Sequence, residues 1–157
     1  MEGVSLETLF AGRDIDIDAM HGAMKARMDA ENLPYEKRSH TYNSRLAQEL
    51  GKWADTQPGG GAIHDALFKA YFVDGMNIGN RDILLNIAGS VGLPVEEAKT
   101  VLDNRRFQKE IDADWDKSRQ YGVTGVPTFV AGGYGVVGCQ PYETLHALLE
   151  KASAGEE

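Results

Sequence analysis

Along the first ~120 residues, apolar side chains recur every three or four positions, the spacing that gathers one face of an α-helix. Ile17, Met20, Met24 and Met28 predict the first long helix. Asp16 or Asp18 stands ready to cap its start, and Leu33-Pro34 ends it, because a residue before proline avoids the helical region. A second helix follows Asn43-Ser44, with Leu46, Ala47, Leu50, Trp53 and Ala54 on one side. Gln57-Pro58-Gly59-Gly60-Gly61 breaks the pattern and reads as a linker. A third helix carries Ile63, Ala66, Leu67, Ala70 and Tyr71, with Phe72 beside the stripe and Asp74-Gly75 at its close. Asn80 is the expected N-cap of a fourth, bearing Ile83, Leu84, Ile87, Ala88 and Val91 and ending near Gly92. Pro94 opens a long helical stretch to about Tyr121, where Ala98, Val101 and Leu102 form one face and Phe107, Ile111 and Trp115 a second.

The pattern changes at Gly122. Thr128–Ala131, Gly132-Gly133 and Tyr134–Val137 predict a β-hairpin with a two-glycine turn. Gly138 breaks the second strand, and Pro141 opens a last helix with Glu143 near its positive end. Tyr142, Leu145, Leu148, Leu149 and Ala152 are its expected buried side. Trp53, Trp115 and the Phe68/Tyr71/Phe72 cluster read as core.

The most specific string is Gly122-Val123-Thr124-Gly125-Val126-Pro127-Thr128-Phe129. Two glycines bracket a turn, and a Val-Pro bond leads directly into a strand. Proline has no N–H to give to a ladder, so it fits a strand start only at an edge or in a special loop, and an X–Pro bond there can be cis at modest cost. This string resembles the cis-proline loop of thioredoxin-fold proteins, in the form typical of the DsbA/FrnE family. Three further stretches resemble the same family. Thr41-Tyr42-Asn43-Ser44-Arg45-Leu46-Ala47 is similar to the opening of its helical insertion. Phe68 to Phe72, Asn77-Ile78 and Asp82-Ile83-Leu84 follow its pattern within the insertion. Val136-Val137-Gly138-Cys139-Gln140-Pro141 is similar to its strand-to-helix junction, where the family usually has alanine at the cysteine position.

The resemblance implies a mostly helical α/β fold: a thioredoxin-like remnant with a DsbA-type helical insertion, a β-hairpin after a cis-proline loop, and a C-terminal helix. It is read as one domain over 1–157, with the insertion at about 14–121 and the ββα part at about 122–153. It also implies thiol–disulfide oxidoreductase chemistry, in which the proline loop exposes backbone to a bound peptide or thiol substrate. Val126, Pro127 and Thr128 are the substrate-binding positions so implied. Family members begin with a strand, a Cys-x-x-Cys helix start and a second strand, which would precede Val4-Ser5-Leu6-Glu7. These residues hold one cysteine, Cys139, so no disulfide can close within them. No catalytic residue is therefore assigned here, and the expectation is a chain not redox-competent alone. A non-catalytic peptide-binding or dimerisation module is one alternative. A glutathione-linked transferase or isomerase of the kappa or hydroxychromene-carboxylate kind is another. The short hairpin, marginal on its own and open at its edges, is expected to pair with a second copy or with a separate N-terminal segment.

Composition narrows the rest. A net charge of −8 with scattered basic residues speaks against nucleic acid, which needs a concentrated positive face. No apolar run approaches a membrane span, and no secretory leader pattern opens the sequence, so a cytoplasmic protein without a membrane partner is expected. Cys139 precedes a helix N-terminus, where a thiolate is favoured. It is the one candidate reactive thiol, although a small buried residue at a strand end is the commoner case. Asp14-Ile15-Asp16-Ile17-Asp18 begins like a calcium loop, but Ala19 and Lys25 stand where that loop needs glycine and glutamate. The four histidines show no metal spacing and Gly59-Gly60-Gly61 lacks a following Lys-Ser/Thr, so neither a metal nor a cofactor is implied. Asn43-Ser44 is read as a helix cap rather than a ligand contact.

Overall fold

The structure, a computed structural model, describes residues 3–155. More than half of these are helical, and the chain forms two compact units that divide between Ile111 and Asp112.

The first unit holds a short antiparallel pair and a helical core. Strand β1 (Val4–Ser5) pairs with β2 (His40–Thr41), Val4 opposite Thr41. Between them lie α1 (Leu6–Leu9) and α2 (Ile17–Ala30). Asp16 caps α2 through its side chain, which accepts from the Ala19 N–H at 2.9 Å. The helix stops before Leu33-Pro34, where Asn32 turns left-handed at φ 55° and the Leu33 N–H reaches the Met28 carbonyl.

Helices α3 (Arg45–Ala54), α4 (Ala62–Phe72), α5 (Arg81–Ser90) and α6 (Val95–Asp103) pack around Leu50, Trp53, Ala54, Ile63, Leu84, Ala88, Ala98 and Val101. Their stripes match the periodicity closely. The expected linker at 57–61 is instead a packed turn: Gly60 is buried, and its N–H donates to the Gln57 carbonyl. Asn80 caps α5, accepting from the Asp82 and Ile83 N–H groups. At α3 the cap is shared differently from expectation. The Asn43 side chain accepts from the Arg45 N–H, while the Ser44 hydroxyl accepts from the Gln48 amide.

The long helix expected from Pro94 to Tyr121 is two helices, α6 and α7 (Gln108–Gln120). Arg105 adopts φ 49°, and the Arg106 N–H bonds back to the Val101 carbonyl. This left-handed closure ends α6 without a glycine.

The second unit holds most of α7, strands β3 (Thr128–Ala131) and β4 (Tyr134–Val137), and α8 (Tyr142–Ala154). The hairpin register runs from Thr128 opposite Val137 to Ala131 opposite Tyr134. Gly132 and Gly133 both have positive φ, as a two-residue hairpin turn of the right twist demands. Lys151 of α8 lies over the Tyr134 ring at 4.1 Å. Leu148 is buried, but Tyr142 and Leu149, expected on the buried side, are 73% and 59% exposed. Phe68 and Trp115 likewise lie on the surface rather than in a core. Helical spacing tells which residues share a face, not whether another element covers that face.

Candidate functional site

Residues 122–128 build the loop that the sequence singled out. Helix α7 closes through Gly122, at φ 69°, with the Val123 N–H bonded to the Ser118 carbonyl at 3.0 Å. The chain then runs to a cis Val126-Pro127 bond and enters β3. Two bonds hold the loop's shape. The Thr128 hydroxyl donates to the Gly125 carbonyl at 2.6 Å, and the Gly138 N–H donates to the Pro127 carbonyl at 2.8 Å. Val126 is left 90% exposed, and no described residue hydrogen-bonds its N–H or C=O. Pro127 is exposed and Thr128 half-buried. The arrangement is a fixed shelf of free backbone beside an apolar side chain, which extended peptide can meet with main-chain hydrogen bonds.

The bond from Gly138 to Pro127 and the pairing of Thr128 with Val137 bring Cys139 to the same end of the hairpin as residues 126–128. Cys139 is exposed, not buried at the strand end as the commoner pattern would have it. The reason is positional: Gly138, at φ 92°, turns the chain out of the sheet before α8 begins. Val126, Val137, Phe129, Val130 and Tyr134 together leave apolar surface on the hairpin.

The first unit contains two polar pairs that the sequence reading missed. Glu49 is fully buried on α3, and Arg105 grips its carboxylate through Nε at 3.0 and 3.1 Å and through a terminal nitrogen at 2.5 Å. That bond holds the guanidinium in its charged form even more firmly than usual. A signal existed, since Glu49 stands three residues after Leu46 on the apolar stripe. The second pair is His21 and Tyr35, both buried, with Nδ1 of His21 2.6 Å from the Tyr35 hydroxyl. Burial raises the phenol above its ordinary pKa, so the hydroxyl stays protonated. The other ring nitrogen of His21 is buried with no hydrogen-bond partner among the described residues. Tyr35→Phe removes the partner of Nδ1 as well. We expect a loss of about 1–2 kcal/mol, measured by urea unfolding; an unchanged midpoint would show that the pair contributes nothing.

On the surface, Lys37 bonds Asp18, holding that carboxyl below its usual range and the ammonium above its own. Among the described residues no cluster of three or more His, Cys, Asp or Glu side chains could hold a metal ion. Nor is any described helix long and apolar enough to cross a membrane.

A helical unit followed by a ββα unit entered through a cis-proline loop places the chain among thioredoxin-fold proteins of the DsbA type. The chain belongs to the DSBA-like thioredoxin domain family, whose pattern matches residues 3–150. Its fold is that of the DsbA-type thiol–disulfide oxidoreductases. Among relatives, it is 30% identical over 119 residues to the uncharacterized protein YwbO of Bacillus subtilis (strain 168). That match takes in 75% of this chain and 57% of YwbO, so the chain spans little more than half of that relative's length. A crystal structure of a "putative protein disulfide isomerase" from Nitrosomonas europaea shares the fold with a TM-score of 0.67 at 16% identity. The likeness covers 89% of this chain and 74% of that one.

Proposed function

We propose that these residues form the peptide-docking side of a thiol–disulfide oxidoreductase of the DsbA family, with Val126, Pro127 and Thr128 as the substrate contacts. The observation that carries the reading is Val126: 90% exposed, with free backbone, at the head of a strand. An extended peptide lying antiparallel to the loop would gain main-chain hydrogen bonds there, and the exposed Val126 and Val137 side chains would give it apolar contacts.

The sulfur chemistry itself needs an attacking thiolate and a second cysteine to resolve the mixed disulfide. Cys139 is the single thiol in the 157 residues, so they cannot pass through an internal disulfide. The reading therefore assigns them docking, with turnover dependent on a cysteine pair carried by another segment or chain. The exposed hairpin side chains support pairing of its edge with such a segment or with a second copy. A reducing cytoplasm is the setting we propose.

The test is binding of a reduced, unfolded, apolar peptide followed by fluorescence anisotropy. Val126→Asp puts a charge on the shelf without touching its two holding bonds. It is expected to weaken binding tenfold or more, about 1.4 kcal/mol, while Cys139→Ser leaves binding unchanged. Equal affinity in Val126→Asp would refute the docking role. Disulfide turnover by the 157 residues alone, abolished in Cys139→Ser, would refute the division of labour.

A further inference from the structure

The β3–β4 hairpin has two outer edges, and they are not alike. In an antiparallel pair, residues that exchange bonds alternate with residues whose N–H and C=O point away from the partner strand. The Gly138 N–H, bonded to the Pro127 carbonyl at 2.8 Å, fixes the phase of that alternation. With Thr128 opposite Val137, the bonded pairs fall at Pro127–Gly138, Phe129–Val136 and Ala131–Tyr134. The outward groups are therefore those of Thr128 and Val130 on β3, and of Gly135 and Val137 on β4.

On β3 the outward N–H and C=O groups of Thr128 and Val130 have no backbone partner among the described residues. They come two and four residues after Val126, whose own backbone groups are free. No side chain of β3 is charged, in a chain where 25% of residues are. A neutral edge of this kind is a template on which an extended chain can lay a further strand.

The β4 edge is closed at the end nearest the docking loop. Gly138 turns the chain at φ 92°, and the Gln140 side-chain amide donates to the Val137 carbonyl at 2.6 Å. That amide fills the place where an incoming strand would offer its N–H. At the turn end, Lys151 stands over the Tyr134 ring at 4.1 Å, a hydrated charge of the sort that blunts an edge. A chain adding to β4 must first strip the Gln140 amide from its acceptor, exchanging one bond for another. A chain adding to β3 bonds groups that otherwise have only water.

Resting on the docking reading above, we propose that Gln140 selects the edge of the hairpin that takes an extended apolar peptide: its amide shuts β4, and peptide that meets Val126 runs on along β3. Amide hydrogen exchange of the full chain would be followed with and without the reduced, unfolded apolar peptide. On saturation, exchange at Thr128 and Val130 should slow by about tenfold or more, with Gly135 and Val137 unchanged. Gln140→Ala frees the Val137 carbonyl. In that variant Gly135 and Val137 should slow as well, and binding should rise from one peptide per chain towards two. Gln140→Lys, whose ammonium can make the same bond, should restore the single site. Slowing at Gly135 and Val137 in the parent, or a Gln140→Ala variant that keeps the parent's stoichiometry and pattern, would overturn the selection by Gln140. Either result leaves the docking role standing as long as Val126→Asp still weakens binding. Absence of any peptide binding would overturn both together.

Discussion

Arg105→Met is expected to destabilise the first unit by about 3 kcal/mol, although Arg105 itself is two-fifths exposed. The reason lies in its partner. Glu49 has no solvent contact at all, and its carboxylate depends on the guanidinium that holds both of its oxygens. Removing one partner of a buried pair strands the other charge and costs about 3–5 kcal/mol in sites closed to water; the exposed side of this pair argues for the lower end. The urea midpoint should fall by about 1–2 M. Glu49→Gln should cost less, because the guanidinium left behind can turn to solvent. Equal urea midpoints for the two variants would show that stranding either member of the pair costs the same. Arg105→Gly separates charge from conformation: it relaxes the left-handed φ yet loses the ion pair, and should remain clearly destabilised.

Gly60→Ala is the second large effect. A Cβ at this position would stand 1.7 Å from the Ala54 carbonyl oxygen and 2.6 Å from its carbon. Both are backbone atoms at the end of α3, and neither can swing aside as a side-chain tip would. The Ala54 carbonyl also accepts the Gln57 N–H at 2.8 Å, so moving it breaks the turn's own bond. Overpacking of this kind costs about 1–3 kcal/mol or more, and with backbone on both sides we expect about 3. The melting temperature should drop by about 6–12 °C, taking roughly 2–4 °C per kcal/mol for a chain of this size. The neighbouring Gly61→Ala is the control. Its Cβ meets nothing within 4 Å, and its φ of −56° suits any residue. That variant should melt at or slightly above the parent temperature. Equal loss in both would mean that backbone entropy rather than the close approach sets the requirement for glycine.

The periodicity of apolar residues determined most of the secondary structure by itself. Helices α2 to α5, the hairpin with its Gly132-Gly133 turn, and α8 all follow from spacing and local turn chemistry, which act within a few residues. The proline loop was equally legible, because Gly122 to Phe129 is contiguous and each residue's role is local. What spacing could not supply is which faces meet. Phe68, Trp115, Tyr142 and Leu149 sit on proper helical stripes, yet their exposure depends on elements far away in sequence. The break of the long helix at Arg105 is of the same kind. Nothing near residues 103–107 demands a left-handed arginine, but a buried carboxylate 56 positions earlier holds its guanidinium. Short-range preferences are written along the chain; burial, charge pairing and cavities arise from contacts between distant segments, and only the tertiary structure decides them.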